Sequence, residues 1–484
     1  MIAVNFDLSM FLAILPEILL VVLGGLVLVL DLFLSQERKG SLGWVTASGL
    51  FFIMAISLVF ARPPAEPRLV WGGMLRQDSF GFVFTMLLLF GAAISSLMSI
   101  DYEKFGKRGE FYVLLLVSTL GMCFMASAAD LIMLYLAIET TSIPLYVMAG
   151  FFTKDQKSVE AGIKYLLFGA MTSAIMLYGF TLLYGFSGTT QIYMLAEQLQ
   201  AGQVPLFALA ASLLLILAGF GFKVSAVPFY FWAPDVYEGA PTPVAGFLST
   251  ASKAAGFAVL LRVMLAVYPT QAQLWMTVVG VLAVVSMFVG NLLALAQKNI
   301  KRMLAYSSIA QAGYILIGVA SNSALGTTGA IYYLMAYLAT NLAAFGIVTV
   351  VGKAVGSDEI QAYSGLSRRS PGLALGLLVA LLSLGGIPPF AGFFGKLVVF
   401  GAAMQSGLVW LALMGLINSM IALYYYLVVL KVVYLLRSDE EAKPLPVSIT
   451  WKVALIVCVA GVIVLGTIFY PWYTAASAAA AALF

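Results

Sequence analysis

The sequence contains no histidine, only two cysteines and few charged residues. Without histidine, the usual haem ligands and most transition-metal sites are excluded, and so is the side chain that normally titrates near neutral pH. Both cysteines, Cys123 and Cys458, lie in apolar runs, which excludes a disulfide framework and an iron–sulfur site. Any proton that this chain handles must therefore be handled by lysine and glutamate side chains.

Apolar residues dominate what is present. Of the 484 residues, 62% are hydrophobic and 10% are charged, and the mean hydropathy is +1.04. These values predict an integral membrane protein, and nothing in them indicates nucleic-acid binding. About fourteen apolar runs, from residues 10–34 to residues 450–472, are long enough to cross a bilayer, so we predict an all-α, polytopic fold. The first run is too long for a cleaved signal sequence and lacks its basic flank, so we expect it to be retained.

Lysine and arginine residues fall mainly in alternate loops. If the N-terminus lies outside, the inside loops hold sixteen of the 25 basic residues, including the pair Lys107 and Arg108 and the pair Lys301 and Arg302. Because cytoplasmic loops carry the excess of basic residues, we predict a multi-pass protein with its N-terminus outside. The loop at 61–78, with three arginines, is an exception to this pattern.

A few lysines fall inside apolar runs: Lys164, Lys223, Lys253, Lys396 and Lys431. A charge at bilayer depth costs about 2.5–3.5 kcal/mol or more, so such residues usually face the protein interior and mark a transport route. Lys253 is the clearest case, since it lies about 18 Å along a helix that we expect to begin at Pro241. Lys431 lies near a helix end and is expected to extend to the lipid headgroups.

Glu139 is the matching acidic residue at mid-membrane. Pro144 follows it closely and cannot donate a backbone hydrogen bond, so we predict a helix break there that frees the carbonyl of Thr140. The alternative is a structural Glu–Lys pair that ties two helices together. Burial disfavours the charged form of a lysine and a nearby carboxylate favours it, so moving Glu139 relative to Lys223 would load or unload a proton.

Two further breaks accompany two of the lysines. Pro228 follows Lys223 closely, and Pro388 and Pro389 precede Lys396. A break at membrane depth is tolerated only where protein or water satisfies the backbone. Glycine-rich, proline-broken helices in corresponding halves indicate an inverted-repeat transporter with its ion site at the breaks.

The positions of these breaks predict the division of the chain. Residues 1–109 form about three N-terminal transmembrane helices, and residues 110–267 and 271–436 form two inverted five-helix repeats, each with a proline-broken helix. Residues 437–484 form a loop and the last transmembrane helix.

Several stretches carry a resemblance to a known family. The segments "LAIETTSIPLYVMAGF", "FGFKVSAVPFYFWAPDVYEGAPTPVAGFLSTASKAAGF", "KRMLAYSSIAQAGYILIG" and "GGIPPFAGFFGKL" resemble the subunit N family of proton-pumping NADH–quinone oxidoreductase, respiratory complex I. The resemblance covers the whole chain and favours this family over its antiporter-like relatives. It implies two half-channels built from inverted repeats and joined by a polar axis at mid-membrane.

The resemblance also implies roles for individual residues. Glu139 modulates the charge of Lys223 on the first broken helix, Lys253 connects laterally, and Lys396 on the second broken helix faces the exit side. Lys164, in "EAGIKYLLFGA", also matches a family lysine and is expected to support the axis.

Two positions depart from the family pattern. Tyr230 in "PFYFW" and Gln311 in "SIAQAG" stand where the family often has histidine. Neither side chain titrates near neutral pH, although both can hold water in a hydrogen-bonded chain. We therefore expect both to support the polar axis without relaying a proton as an imidazole would.

The implied function is that of a proton-translocating subunit of a translocase complex, with no cofactor or metal of its own. No glycine-rich dinucleotide fingerprint follows a strand, so NADH, FMN, iron–sulfur clusters and quinone are expected in partner subunits. The implied partners are the antiporter-like subunit M and small membrane subunits in the bacterial inner membrane. Two alternatives stay open: a subunit of a sodium/proton antiporter or of a ferredoxin- or hydrogenase-linked complex, and a purely structural scaffold.

Overall fold

The computed structural model describes residues 8–102, 105–202, 204–438 and 443–484. The predicted N-terminal and C-terminal segments, 1–109 and 437–484, therefore lie partly outside the described residues. Over the described residues the chain is almost entirely helical, which confirms the predicted all-α membrane fold.

The first part of the chain forms short and long helices and one small hairpin. Its elements are α1 (Leu8–Ala13), α2 (Leu15–Phe33), α3 (Ser41–Phe60), β1 (Arg68–Val70), β2 (Leu75–Gln77), α4 (Ser79–Ser99), α5 (Gly109–Ser127), α6 (Leu131–Ala149), α7 (Gln156–Ser187) and α8 (Ile192–Gln200). The two strands pair antiparallel, with Arg68 opposite Gln77. This hairpin occupies the arginine-containing loop between α3 and α4, which the apolar pattern alone did not predict to be structured.

The remaining elements include both broken helices. They are α9 (Leu206–Val224), α10 (Trp232–Gly239), α11 (Thr242–Phe247), α12 (Lys253–Val267), α13 (Ala272–Leu295), α14 (Ile300–Ala320), α15 (Ala324–Val355), α16 (Leu366–Arg369), α17 (Pro371–Gly385), α18 (Ala391–Gln405), α19 (Val409–Leu435), α20 (Ile449–Thr467) and α21 (Phe469–Ala481). A π-helical turn, Leu248–Ser252, joins α11 to α12 in one continuous rod.

Among the described residues, thirteen helical segments are long and apolar enough to cross a membrane. The shorter apolar helices α17 and α18 lie on either side of the second break and together supply one more crossing. The count agrees with the prediction of about fourteen transmembrane helices. The chain is therefore a multi-pass membrane protein.

Three rods form the centre of the bundle, where α14, α15 and the α11–α12 rod are almost completely enclosed by neighbours. By contrast, α2, α3 and α7 expose large apolar side chains such as Val22, Phe52 and Leu167. In water such faces would be costly, but they match the hydrocarbon interior of a bilayer or another membrane subunit.

Helices α6 and α14 begin in the same way. Asp130 accepts hydrogen bonds from the first backbone amides of α6, and Asn299 does the same for α14. Each cap residue also forms an isolated antiparallel bridge, Asp130 with Gln191 and Asn299 with Glu359. The caps satisfy backbone amides that have no partner within the helix. The two halves of the chain thus share local geometry at corresponding places.

Candidate functional site

The first break separates α9 from α10. Ser225 adopts a left-handed conformation with φ of 58°, and its amide donates to the carbonyl of Phe222 at 3.1 Å. The amide of Ala226 reaches back to the carbonyl of Gly221 at 2.8 Å, which closes the helix end. Beyond it, the amide of Val227 donates to the Ser286 hydroxyl of α13 at 2.9 Å. Protein groups therefore satisfy these three amides inside the break, as a membrane interior requires.

Lys223 lies in the last turn of α9 and is only 7% exposed. Its ammonium group donates to the hydroxyl of Ser142 on α6. Glu139, one turn earlier on α6, accepts a hydrogen bond from Ser173 of α7 and lies within electrostatic range of Lys223. No ion pair within 4.0 Å joins the two charges in the described chain, so Ser142 and not a direct contact connects α6 to Lys223.

Pro144 does not break α6, and the predicted break there is wrong. The helix runs through Pro144 to Ala149, and the proline is buried. A proline inside a helix removes a single backbone hydrogen bond, and packing against neighbouring helices allows a membrane helix to continue past it. The hydroxyls of Thr141 and Ser142 donate to the carbonyls one turn back, so they remain aligned with the helix.

Lys253 directly follows the π-helical turn and is 1% exposed. Its ammonium group donates to the carbonyl oxygen of Ser308 at 2.8 Å and to the Ser308 hydroxyl at 2.9 Å. One turn further along the same rod, Gly256 packs directly against Lys223, since a Cβ at Gly256 would lie 3.0 Å from the Cβ of Lys223. The rod carrying Lys253 therefore touches the first break on one side and α14 on the other.

The second break separates α17 from α18 and repeats the geometry of the first. Gly386 has a φ of 82°, its amide donates to the carbonyl of Ser383 at 3.0 Å, and the amide of Ile387 donates to the carbonyl of Leu382 at 3.0 Å. The spacing of donors and acceptors is the same as at Ser225 and Ala226. Pro388 and Pro389 lie in this break, as Pro228 lies in the first.

Lys396 turns back from α18 onto the end of α17. Its ammonium group donates to the carbonyl of Leu384 at 2.9 Å, to that of Gly385 at 3.1 Å and to the Ser419 hydroxyl at 2.7 Å. The carbonyls in the last turn of a helix have no partner within the helix and carry its negative dipole end. Lys396 therefore compensates the end of α17, with no carboxylate within 4.0 Å in the described chain.

Gln311 connects α14 to this second site. Its amide nitrogen donates to the carbonyl of Leu384 at 3.1 Å, the same oxygen that accepts from Lys396. Its amide oxygen accepts from the hydroxyl of Tyr333 at 2.5 Å, and its nitrogen also approaches the Tyr426 hydroxyl at 3.3 Å. Since Ser308 lies one turn before Gln311 on α14, polar groups follow one another from Lys253 to Lys396.

Two residues that were predicted to support the polar axis lie away from this row of polar groups. Tyr230 is partly exposed in the first break, where its ring stacks on Phe231 with centroids 4.6 Å apart. Lys164 pairs with Glu160 at 2.6 Å and with Asp235 at 2.5 Å in a partly exposed cluster. Neither of them hydrogen-bonds to Lys223 or to its partner Ser142 in the described structure.

The cluster around Lys164 joins α7, α10 and α14. Arg302 bonds to Asp235 at 2.8 Å and to Glu238 at 2.8 Å, and Lys157 bonds to Glu238 at 2.7 Å. Burial raises the pKa of the Asp235 carboxyl, but hydrogen bonds from Lys164 and Arg302 outweigh it and hold that pKa below its ordinary value. The cluster is therefore a fixed set of ion pairs above acid pH.

The serines that hold the ammonium groups were not predicted from the sequence. Ser142, Ser308 and Ser419 each accept from one of the three buried lysines. A signal existed for Ser308, since it shares a helical face with Gln311, but serines are too common in membrane helices for that spacing to single one out. Within the described ranges, no group of three or more Cys, Asp or Glu side chains could hold a metal ion.

Comparisons with known proteins agree with this architecture. Residues 128–422 match the model of a family described as NADH:quinone oxidoreductase/Mrp antiporter, transmembrane. NADH-quinone oxidoreductase subunit N of Moorella thermoacetica is 46% identical over 458 residues, which cover 94% of each chain. These matches confirm the resemblance to subunit N that the sequence motifs indicated.

Two solved structures have the same fold. A chain of respiratory complex I from Thermus thermophilus superposes with a TM-score of 0.79 at 34% identity, covering 94% of this chain and 97% of that one. A chain of the Mrp complex from Dietzia superposes with a TM-score of 0.84 at 20% identity, covering 99% and 98%. At that identity the second likeness establishes the fold alone.

Proposed function

Because this chain belongs to the NADH:quinone oxidoreductase/Mrp antiporter transmembrane family, we propose that it is the proton-translocating subunit N of an NADH–quinone oxidoreductase. Protons pass along the three buried lysines, and quinone reduction elsewhere in the complex drives them. The single observation that carries this proposal is the row of ammonium groups, each held by hydroxyl or carbonyl oxygens in the interior. A permanent charge buried without a carboxylate in contact is costly, so reversible protonation is the role that fits it.

The arrangement gives each lysine a part in this route. Lys223 exchanges its proton near Glu139, whose carboxylate stabilises the ammonium form from within α6. Lys253 stands between the two breaks and leads to Ser308 on α14. From there Gln311 and the carbonyl of Leu384 lead to Lys396, from which the proton leaves on the exit side.

The shared caps and breaks support the division into repeats at 110–267 and 271–436. Each repeat holds five crossings, an odd number, so corresponding helices run in opposite directions through the membrane. Two such units place one half-channel on each side of the bilayer. The lysine row then joins the half-channels at mid-membrane.

The exposed face of α6 indicates what surrounds the subunit. Glu139 lies on α6 among exposed apolar side chains such as Leu136 and Ile143. A carboxylate on such a face is costly against lipid. We therefore place the neighbouring antiporter-like subunit M against α6 and α7. NADH, FMN, iron–sulfur clusters and quinone then belong to partner subunits, and this subunit binds none of them. The subunit lies in the bacterial inner membrane with its N-terminus outside.

Proton uptake by sealed vesicles tests the proposal, with electron transfer recorded in the same sample. Lys223→Ala in the assembled complex is expected to reduce proton uptake severely. The control is Lys431→Ala, which removes an exposed lysine of α19 and is expected to leave uptake unchanged. Normal uptake at normal turnover in Lys223→Ala would contradict the proposal. Purification with a cation/proton antiporter that contains no redox protein would favour the antiporter alternative.

A further inference from the structure

Glu17 is a buried carboxylate that the lysine row does not use. It lies in the first turn of α2 and is 5% exposed. Within the described chain, its Oε2 atom is buried and has no hydrogen-bond partner. A buried carboxylate oxygen without a hydrogen-bond donor disfavours the ionised form, so this oxygen must either carry a proton or contact water.

A small cavity adjoins Glu17. It has a volume of about 30 Å³, and its walls come from the ends of α3 and α5 and from the starts of α2 and α4. Thr85 and Ser127 contribute hydroxyl groups to the wall, and Arg76 and Asp78 contribute charges. A space of this size with several polar walls accommodates about two water molecules. All four helix ends lie on the side of the membrane where α2 begins.

The charges around the cavity are unevenly paired. Asp78 accepts two hydrogen bonds from Arg262, at 2.8 and 2.9 Å, and also pairs with Arg76 at 3.3 Å. Among the described residues, Asp78 thus pairs with two guanidinium groups, which leaves one positive charge in excess beside the cavity when Glu17 is protonated. Among the described residues, the buried Cys123 thiol on α5 is a further titratable group near Glu17.

We propose that Glu17 is a proton-exchange site, separate from the lysine row, that takes a proton from water on the side of the membrane where the N-terminus lies. A hydronium ion in the cavity transfers its proton to Oε2 of Glu17, an O–H bond forms, and a neutral water remains. When the proton leaves, the carboxylate balances the excess charge of Arg76 through the cavity water.

Infrared difference spectroscopy tests this site directly. Sealed vesicles containing the complex are titrated in pH on the N-terminal side, in H₂O and in D₂O. The wild-type protein is expected to show the carbonyl stretch of a protonated carboxyl, shifted in D₂O and lost as pH rises, and Glu17→Gln is expected to lack it. Glu17→Asp keeps a carboxyl and is expected to show the band at a different frequency, and Glu37→Gln, at an exposed residue, is expected to leave it unchanged.

Three results would overturn the proposal. The band is absent at every pH, which means that Glu17 stays ionised. The band is present but responds neither to pH nor to deuterium, which means that the group is sealed. The band responds to Na⁺ at constant pH, which means that the site binds a cation. None of these results bears on the lysine row, so the proposed function is tested separately.

Discussion

The two breaks share one backbone geometry but hold their lysines in different ways. In the first break, Lys223 belongs to the helix that ends there, and a single serine hydroxyl accepts from it with Glu139 nearby. In the second break, Lys396 belongs to the helix that begins afterwards, and two backbone carbonyls and a hydroxyl accept from it. Both ammonium groups nevertheless lie at the C-terminal end of the first half-helix.

This difference shows two ways of stabilising a buried ammonium group. A nearby carboxylate can change its effect when helices move, whereas the carbonyls at the end of a helix are fixed by the backbone. We infer that the stabilisation of the ammonium group can change at the first site and stays constant at the second. Helices α6 and α14 show the same difference. Glu139 and Ser308 lie equally far along their helices from the caps Asp130 and Asn299, but only the first is a carboxylate.

A carboxylate on α14 at the position that matches Glu139 tests the contrast between Glu139 and Ser308, and we expect the largest effect here. Ser308→Glu brings a carboxylate beside Lys253, where a fixed ion pair would keep the proton on the lysine. Proton uptake by vesicles is expected to fall about a hundredfold, which corresponds to about 2.7 kcal/mol. Ser308→Thr retains a hydroxyl and serves as the control. Normal uptake by an assembled Ser308→Glu complex would show that Lys253 does not exchange its proton.

Removing one hydroxyl from each site should sharpen the comparison. Ser142→Ala deprives Lys223 of its only hydrogen bond to a described residue, and a hydrogen bond to a charged group contributes about 1.5–3 kcal/mol. We expect about a tenfold loss of proton uptake. Ser419→Ala leaves Lys396 with two carbonyls, so its effect is expected to stay within about threefold. Equal losses in the two variants would remove the distinction between the sites.

A close packing contact supports the first site, and we expect the smallest effect there. In Gly256→Ala the new Cβ lies 3.0 Å from the Cβ of Lys223 and 3.2 Å from Val224, so the helices must separate slightly. We expect a destabilisation of about 1 kcal/mol in thermal inactivation of the complex. The matched control is Gly401→Ala, where no atom lies within 4 Å and stability should be unchanged or slightly raised. If both variants behave alike, the contact does not position Lys223.

Hydropathy and proline positions predicted the membrane crossings and the two helix breaks of this molecule. Particular residues show where these two signals fail. The apolar runs predicted the crossings because each must match the bilayer thickness, and Pro228, Pro388 and Pro389 do lie in the two breaks. Pro144 was misread because the same residue type continues through a packed helix when its neighbours hold it. Sequence alone cannot distinguish these two cases.

The partners of the lysines were beyond prediction for a different reason. Contacts such as Lys253 with Ser308 join residues far apart in the chain, and their pairing depends on how the rods pack. The π-helical turn before Lys253 also determines which way that side chain points, and no residue in "LSTAS" predicts a π-helical turn. Lys164 shows the same limit, since Asp235 and Arg302 draw it into a cluster of ion pairs.

The central claim is that polar groups on α14 connect the lysines of the two halves, and Gln311 is the residue to change. Gln311→Leu removes the group that shares the Leu384 carbonyl with Lys396, while Gln297→Leu, at the end of α13, is the control. The measurement is the number of protons taken up by sealed vesicles per electron pair transferred. We predict a clear fall for Gln311→Leu and none for Gln297→Leu; an unchanged ratio at normal turnover in Gln311→Leu would contradict the account.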